Sequence, residues 1–131
     1  MTEAKPSMSA EAILEQLIGM SRHLGDPALD YAILGEGNTS ARAGAQTFWV
    51  KASGAEMRTI DAAGFVEVYF ERVLGMVHGW DGGGVDDEQI KAGLMAARVD
   101  PNATARPSVE TVLHALALQV PGVGFVGHTH P

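Results

Sequence analysis

Ser108-Val-Glu-Thr-Val-Leu-His-Ala-Leu-Ala-Leu-Gln-Val-Pro-Gly-Val-Gly-Phe-Val-Gly-His-Thr-His-Pro131 reads as a short helix that stops at Pro121-Gly122 and returns as a strand carrying two histidines. Val112, Leu113, Leu116, Ala117 and Val120 recur at helical spacing, Ser108 suits the N-cap, and Glu110 falls in the first turn, where a carboxylate favours the helix dipole. From Glu110 to the helix end is ~14 Å at ~1.5 Å per residue, and a strand from Val123 to His128 covers ~17 Å at ~3.3 Å per residue. If the strand packs back along the helix, His128 comes level with Glu110.

The strand sets the second half of that geometry. Side chains alternate faces along an extended chain, so His128 and His130 project to one side and can lean onto a single ion. Neutral imidazoles suit zinc, which in catalytic sites takes about three protein ligands and keeps one position for substrate. A carboxylate beside them is what proton transfer next to a metal-held oxygen requires. A bland reading stands beside this one: a lone His-x-His is equally at home as a surface pair, and a glutamate in a first helical turn serves the dipole. The buried-looking run Val123-Gly-Phe-Val-Gly127, feeding two rings toward the end of the strand, favours the site.

Working toward the N-terminus, Leu34-Gly-Glu-Gly-Asn-Thr-Ser-Ala-Arg42 lies between the strand-like pieces Ala32–Leu34 and Phe48–Val50, and Lys51-Ala-Ser-Gly54 closes the second piece. Glycines let backbone N–H groups approach an anion, while Asn38, Thr39, Ser40 and Ser53 add short donors and Lys51 a charge. This is phosphate-cradle composition. The P-loop spacing is absent, and so is the third glycine of a dinucleotide fingerprint. Taken alone, Gly-Glu-Gly-Asn reads as a turn.

Together, Gly35-Glu-Gly-Asn-Thr-Ser40, Lys51-Ala-Ser-Gly54, Pro107-Ser-Val-Glu110 with His114, and Gly127-His-Thr-His-Pro131 resemble, in order and spacing, the class II aldolase and adducin family. Four blocks in register, from about Leu17 to the last residue, carry the resemblance. That family includes zinc-dependent fuculose- and rhamnulose-phosphate aldolases, a ribulose-phosphate 4-epimerase, a methylthioribulose-phosphate dehydratase and the non-catalytic adducin head. The wording of the first two blocks looks most like the aldolase part of proteins that join a rhamnulose-phosphate aldolase to a short-chain dehydrogenase.

The resemblance implies a three-layer α/β/α sandwich around a central mixed, largely antiparallel sheet, incomplete at its C-terminus. It implies Glu110 as the catalytic acid/base, and His128 and His130 as two of three histidines holding Zn2+ or another divalent cation. Asn38, Ser53, Gly54 and Ser108 match positions contacting a substrate phosphate, with Gly35 and Gly37 shaping the first loop. The family's third zinc histidine falls beyond Pro131, so the chain is expected to be a single N-terminal domain, residues 1–131, truncated after the His-x-His motif and inactive alone. Val109 departs from members that have a second serine before the glutamate. The implied reaction is reversible aldol cleavage of a ketose 1-phosphate through a zinc-stabilised enediolate, with epimerisation, dehydration or an adducin-like binding role as alternatives. Relatives are typically tetramers, which implies a homo-oligomer.

Chemistry elsewhere is consistent with that expectation. The lysines are Lys5, Lys51 and Lys91, and neither of the latter two sits in an evident apolar pocket suited to a Schiff base, so Lys51 reads as balancing phosphate charge or as solvated. His114, one turn after Glu110 on the same helix face, reads as a core residue or as one that orients the carboxylate. Sixteen acidic residues against 9 basic give a net charge of −7, which argues against nucleic-acid and anionic-membrane partners but leaves room for a local phosphate loop. With no cysteine, any zinc must be held by nitrogen and oxygen. The 131 residues, 46% hydrophobic, suffice for one cored domain and are too few for two. Without a long apolar run or a basic-then-apolar leader, a cytoplasmic location is expected.

The remaining pattern gives the order of elements. Met1–Pro6 is a polar tail; Ser9 then caps a helix with Ile13, Leu14, Leu17, Ile18 and Leu24 in one stripe, ending at Gly25-Asp-Pro27. Strands are expected at Thr39–Arg42, Phe48–Lys51 and Phe65–Tyr69, with a hairpin loop at 43–46. Asp81–Asp87 is a breaker, Ile90, Leu94 and Met95 support a helix to about Arg98, and 100–107 is a loop delivering the Glu110 helix. Helices around a mixed or antiparallel sheet follow from this order.

Overall fold

The fold comes from a computed structural model, which describes residues 9–29, 37–78 and 86–129. Gly35, His130 and the expected strand at Ala32–Leu34 lie outside those residues. Helix α1 spans Ala10–Leu24; the Ser9 hydroxyl accepts from the Ala12 N–H at 3.1 Å, satisfying one of the orphan donors that every helix start leaves. Strands β1 (Gly37–Arg42), β2 (Thr47–Lys51) and β3 (Phe65–Tyr69) follow, then helices α2 (Phe70–His78), α3 (Asp87–Ala96) and α4 (Thr111–Leu118), and last strand β4 (Phe125–Thr129).

The four strands form one sheet in the order β3-β2-β1-β4, and each of the three pairings is antiparallel. The sequence suggested a mixed or antiparallel, largely antiparallel sheet, and among the described residues each pairing is antiparallel. Alternation along the strands sends successive side chains into two separate layers. On one side Ala41 and Phe65 pack with Leu17 and Ile60, covered by α1. On the other, Phe48, Val50, Val66 and Val68 pack with Val73 of α2, Leu94 of α3 and Val112, Ala115 and Leu118 of α4. Helices on both faces of one sheet make the three-layer sandwich.

Three expectations change. Phe70–His78 is a helix that the sequence reading passed over; Phe70 and Val73 are buried along it, with Leu74 and Val77 packed beside them. The helix expected from Ser108 begins instead at Thr111, with Glu110 in the N-cap position. Its buried face also differs: Thr111, Val112, His114, Ala115 and Leu118 go inward, while Leu113, Leu116 and Val120 stand 47–56% exposed. Among the described residues no helix is long and apolar enough to cross a membrane.

Candidate active site

The site forms where the start of α4 meets β1 and β4. Ser108 anchors the approach: its N–H donates to the Lys51 carbonyl at 3.2 Å, and its carbonyl accepts the N–H of Thr111 at 3.0 Å. Its hydroxyl accepts the Glu110 N–H at 3.2 Å and the Asn38 side-chain amide. A loop tied to two strands in this way fixes the Glu110 backbone before the helix begins, which is what a proton-transferring carboxylate needs.

Glu110 and His128 then meet directly. The β1–β4 register sets Asn38 opposite His128, so both side chains rise on the α4 face, and the His128 Nδ1 comes into direct contact with the Glu110 Oε2. Each side chain keeps about a third of its surface exposed (33%), so the pair is open to a ligand. His114, one turn further along α4, lies beneath them. One donor atom from each of Glu110, His114 and His128 lies within 4.8 Å of the others, and the two imidazole rings are 6.5 Å apart and tilted by 44°. One carboxylate and two imidazoles make a nitrogen-and-oxygen donor set that suits zinc or a similar divalent ion.

His114 is fully buried, with its Nδ1 2.6 Å from the Ser40 hydroxyl and its Nε2 without a hydrogen-bond partner among the described residues. Burial pushes its pKa down from 6.5 to about 4; the Glu110 carboxylate opposes that shift and His128 adds to it. At neutral pH the ring therefore carries one proton.

The other expected residues fall in two groups. Asn38 is 1% exposed inside β1 rather than in a loop, and its Oδ1 has no hydrogen-bond partner among the described residues. Gly37 opens the same strand at φ 134°; a Cβ there would stand 2.6 Å from the Met57 Cε and 2.8 Å from the His128 carbonyl, so only glycine lets β1 and β4 close at this point. Ser53 and Gly54 are exposed in the turn after β2, and the Ser53 N–H donates to the Arg106 carbonyl at 2.8 Å. Ser53, Lys91 and Arg106 share a small cleft of about 120 Å³ with Met95, Pro107 and Val109, two features of which, the cations from α3 and the loop, gave no sequence signal. Lys51 is not solvated. It is 7% exposed, donates to the Ala55 carbonyl at 2.7 Å, and has its pKa lowered by burial, with Glu110 pulling the other way.

An antiparallel sheet between helical layers, with a carboxylate and imidazoles at the edge, defines the class. The chain belongs to the Class II Aldolase and Adducin N-terminal domain family, whose profile matches residues 15–131. Among solved structures it is similar to the N-terminal Class II Aldolase domain of a conserved protein from Thermoplasma acidophilum, with 28% identity and a TM-score of 0.74 over 99% of this chain. It is also similar in fold to L-fuculose 1-phosphate aldolase from Glaciozyma antarctica PI12, with 18% identity and a TM-score of 0.55 over 98% of this chain. The chain spans 58% of the length of the first and 45% of the second. Among curated proteins none matches it at a significant level.

Proposed function

We propose that the chain carries the acid/base carboxylate and part of the metal site of a lyase that reversibly cleaves a carbon–carbon bond in a ketose 1-phosphate. The observation that supports this most is the Glu110 carboxylate set against His128 where a strand edge meets a helix start, on a family fold that includes a neighbouring fuculose 1-phosphate aldolase. His128, with His130 two residues on, would hold a zinc or similar ion, and the ion would polarise the substrate carbonyl and offset the negative charge left by bond cleavage.

The chain's own residues supply the rest. Glu110 removes or returns the proton on the carbon next to the carbonyl; partial exposure leaves its carboxylate reachable by substrate, and the Ser108 anchor holds its backbone in place. Asn38, Ser108 and the Ser53-Gly54 turn offer hydrogen bonds to the phosphate, and Lys91 and Arg106 in the adjoining cleft supply positive charge. That charge compensates for Val109, which contributes no hydroxyl. Lys51, held by two carbonyls, is unsuited to a Schiff base, consistent with metal-assisted chemistry.

The test is a zinc titration by calorimetry together with detection of dihydroxyacetone phosphate released from fuculose and rhamnulose 1-phosphates. In a protein that joins these residues to a third zinc histidine, about one zinc per chain is expected, and His128→Ala should remove both binding and cleavage; residues 1–131 alone should bind zinc weakly and turn over little. Unchanged zinc uptake in that variant would refute the assignment.

A further inference from the structure

Four large apolar side chains, Val109, Leu113, Leu116 and Val120, stand in a row at 47–59% exposure. Leu113 and Leu116 lie on α4, while Val109 and Val120 lie in the turns that enter and leave it. Those turns carry on the helical winding: the Thr111 N–H donates to the Ser108 carbonyl at 3.0 Å, and the Val120 N–H to the Ala117 carbonyl at 3.2 Å. Steps of four, three and four residues keep the row along one side. The other side is occupied, with Thr111, Val112, His114, Ala115 and Leu118 buried. From Thr111 to Thr129 the sequence holds no Asp, Glu, Lys or Arg, so no charge interrupts the row. A helix apolar nearly all round belongs between two layers, and among the described residues α4 has one.

We propose that the outer face of α4 is a two-fold contact between copies of this chain, with the two α4 helices antiparallel. The row reads the same in both directions, as Val, Leu, Leu, Val at unchanged spacing. Turned end for end against itself, it sets Val109 against Val120 of the partner subunit and Leu113 against Leu116 of the partner subunit. An isologous contact requires that self-complementarity, whereas a foreign helix needs no such symmetry in the row it meets. The antiparallel sense also opposes the two helix dipoles and keeps the two Glu110 carboxylates apart, where a parallel pair would bring them together.

Size and charge agree with a second copy. Four half-exposed side chains make a patch in the range of about 300–600 Å² at which apolar patches on monomers are often functional. Such a patch is about half of the ~800 Å² that each partner gives to a standard interface, of which roughly 56–65% is non-polar. The row therefore suffices as the apolar centre of that contact, with a polar rim around it. Copies that each carry a net charge of −7 repel over most of their surface, and an uncharged row is where they meet with least repulsion.

Sedimentation equilibrium of the 131-residue chain, from about 1 to about 300 μM, should show a monomer–dimer equilibrium with a dissociation constant in the micromolar range. Leu116→Glu changes an exposed position, so circular dichroism should report an unchanged fold. Each dimer would then bury two unpaired carboxylates, and the dissociation constant should rise about 100-fold or more. Combining Leu113→Lys with Leu116→Glu in one chain should restore association, because antiparallel pairing sets each new ammonium against a new carboxylate and parallel pairing sets like against like. A chain that stays monomeric throughout overturns the proposal and leaves the row to a different segment of polypeptide. Dimers that survive Leu116→Glu unchanged overturn it too, as does a double variant that associates no better than Leu116→Glu alone. None of these readouts involves zinc or turnover, so they succeed or fail independently of the aldolase reading.

Discussion

The two faces of strand β1 carry the same kind of side chain and treat it in opposite ways. Thr39 faces α1, where its hydroxyl lies 2.7 Å from that of Ser21, which in turn donates to the Leu17 carbonyl at 2.6 Å. Both hydroxyls there are closed off by protein. Asn38 and Ser40 face α4, and their network ends on atoms without a hydrogen-bond partner among the described residues, the Asn38 Oδ1 and the His114 Nε2. Buried polar groups are normally satisfied, so two such atoms on one face beside a reachable carboxylate mark where a ligand is expected, whereas the Ser21–Thr39 pair only fastens a helix to a sheet.

That contrast can be broken at each level. Glu110→Gln, on the open face and in a protein that also carries the third zinc histidine, should lower kcat by about 10²- to 10⁴-fold; a variant that retains full turnover would move the acid/base role elsewhere. Acid should then act on the same face. The unfolded chain binds a proton at His114 near its ordinary 6.5, while the fold resists until about 4, so stability is complete above 6.5 and falls as pH drops through that window. The loss in the metal-free chain should reach a few kcal/mol, on the order set by that shift, and urea midpoints at pH 7 and pH 4.5 measure it; His114→Gln should flatten the difference. Smallest is Thr39→Val on the closed face. It should cost about 1 kcal/mol in stability, since Ser21 keeps its bond to Leu17, and leave kcat unchanged.

Some of this was readable in the sequence. The α1 stripe and its Ser9 cap are strongly periodic, and the level placement of Glu110 and His128 followed from chain lengths alone. Helix α2 escaped because it continues without a break from β3: Phe70 follows Tyr69 directly, and Gly75 weakens the helical signal that Phe70, Val73, Leu74 and Val77 carry. The buried face of α4 was not legible, because Val112, Leu113, Ala115, Leu116, Ala117 and Leu118 are apolar all round and periodicity cannot choose among them. Nor was the partner of His114. Ser40 lies 74 residues away, in the strand expected at Thr39–Arg42, and nothing local links it to that ring. The burial of Lys51 likewise depends on the carbonyls of Ala52 and Ala55 folding back over it.

His128 sits on β4, which pairs with β1 on one side and, among the described residues, with no strand on the other. A strand tethered along a single flank opens more readily than an interior one, and each opening takes the imidazole away from Glu110. Anything that clasps His128 therefore also pins that flank shut, so slowed amide exchange across Phe125–Thr129 becomes a gauge of occupancy that needs no turnover.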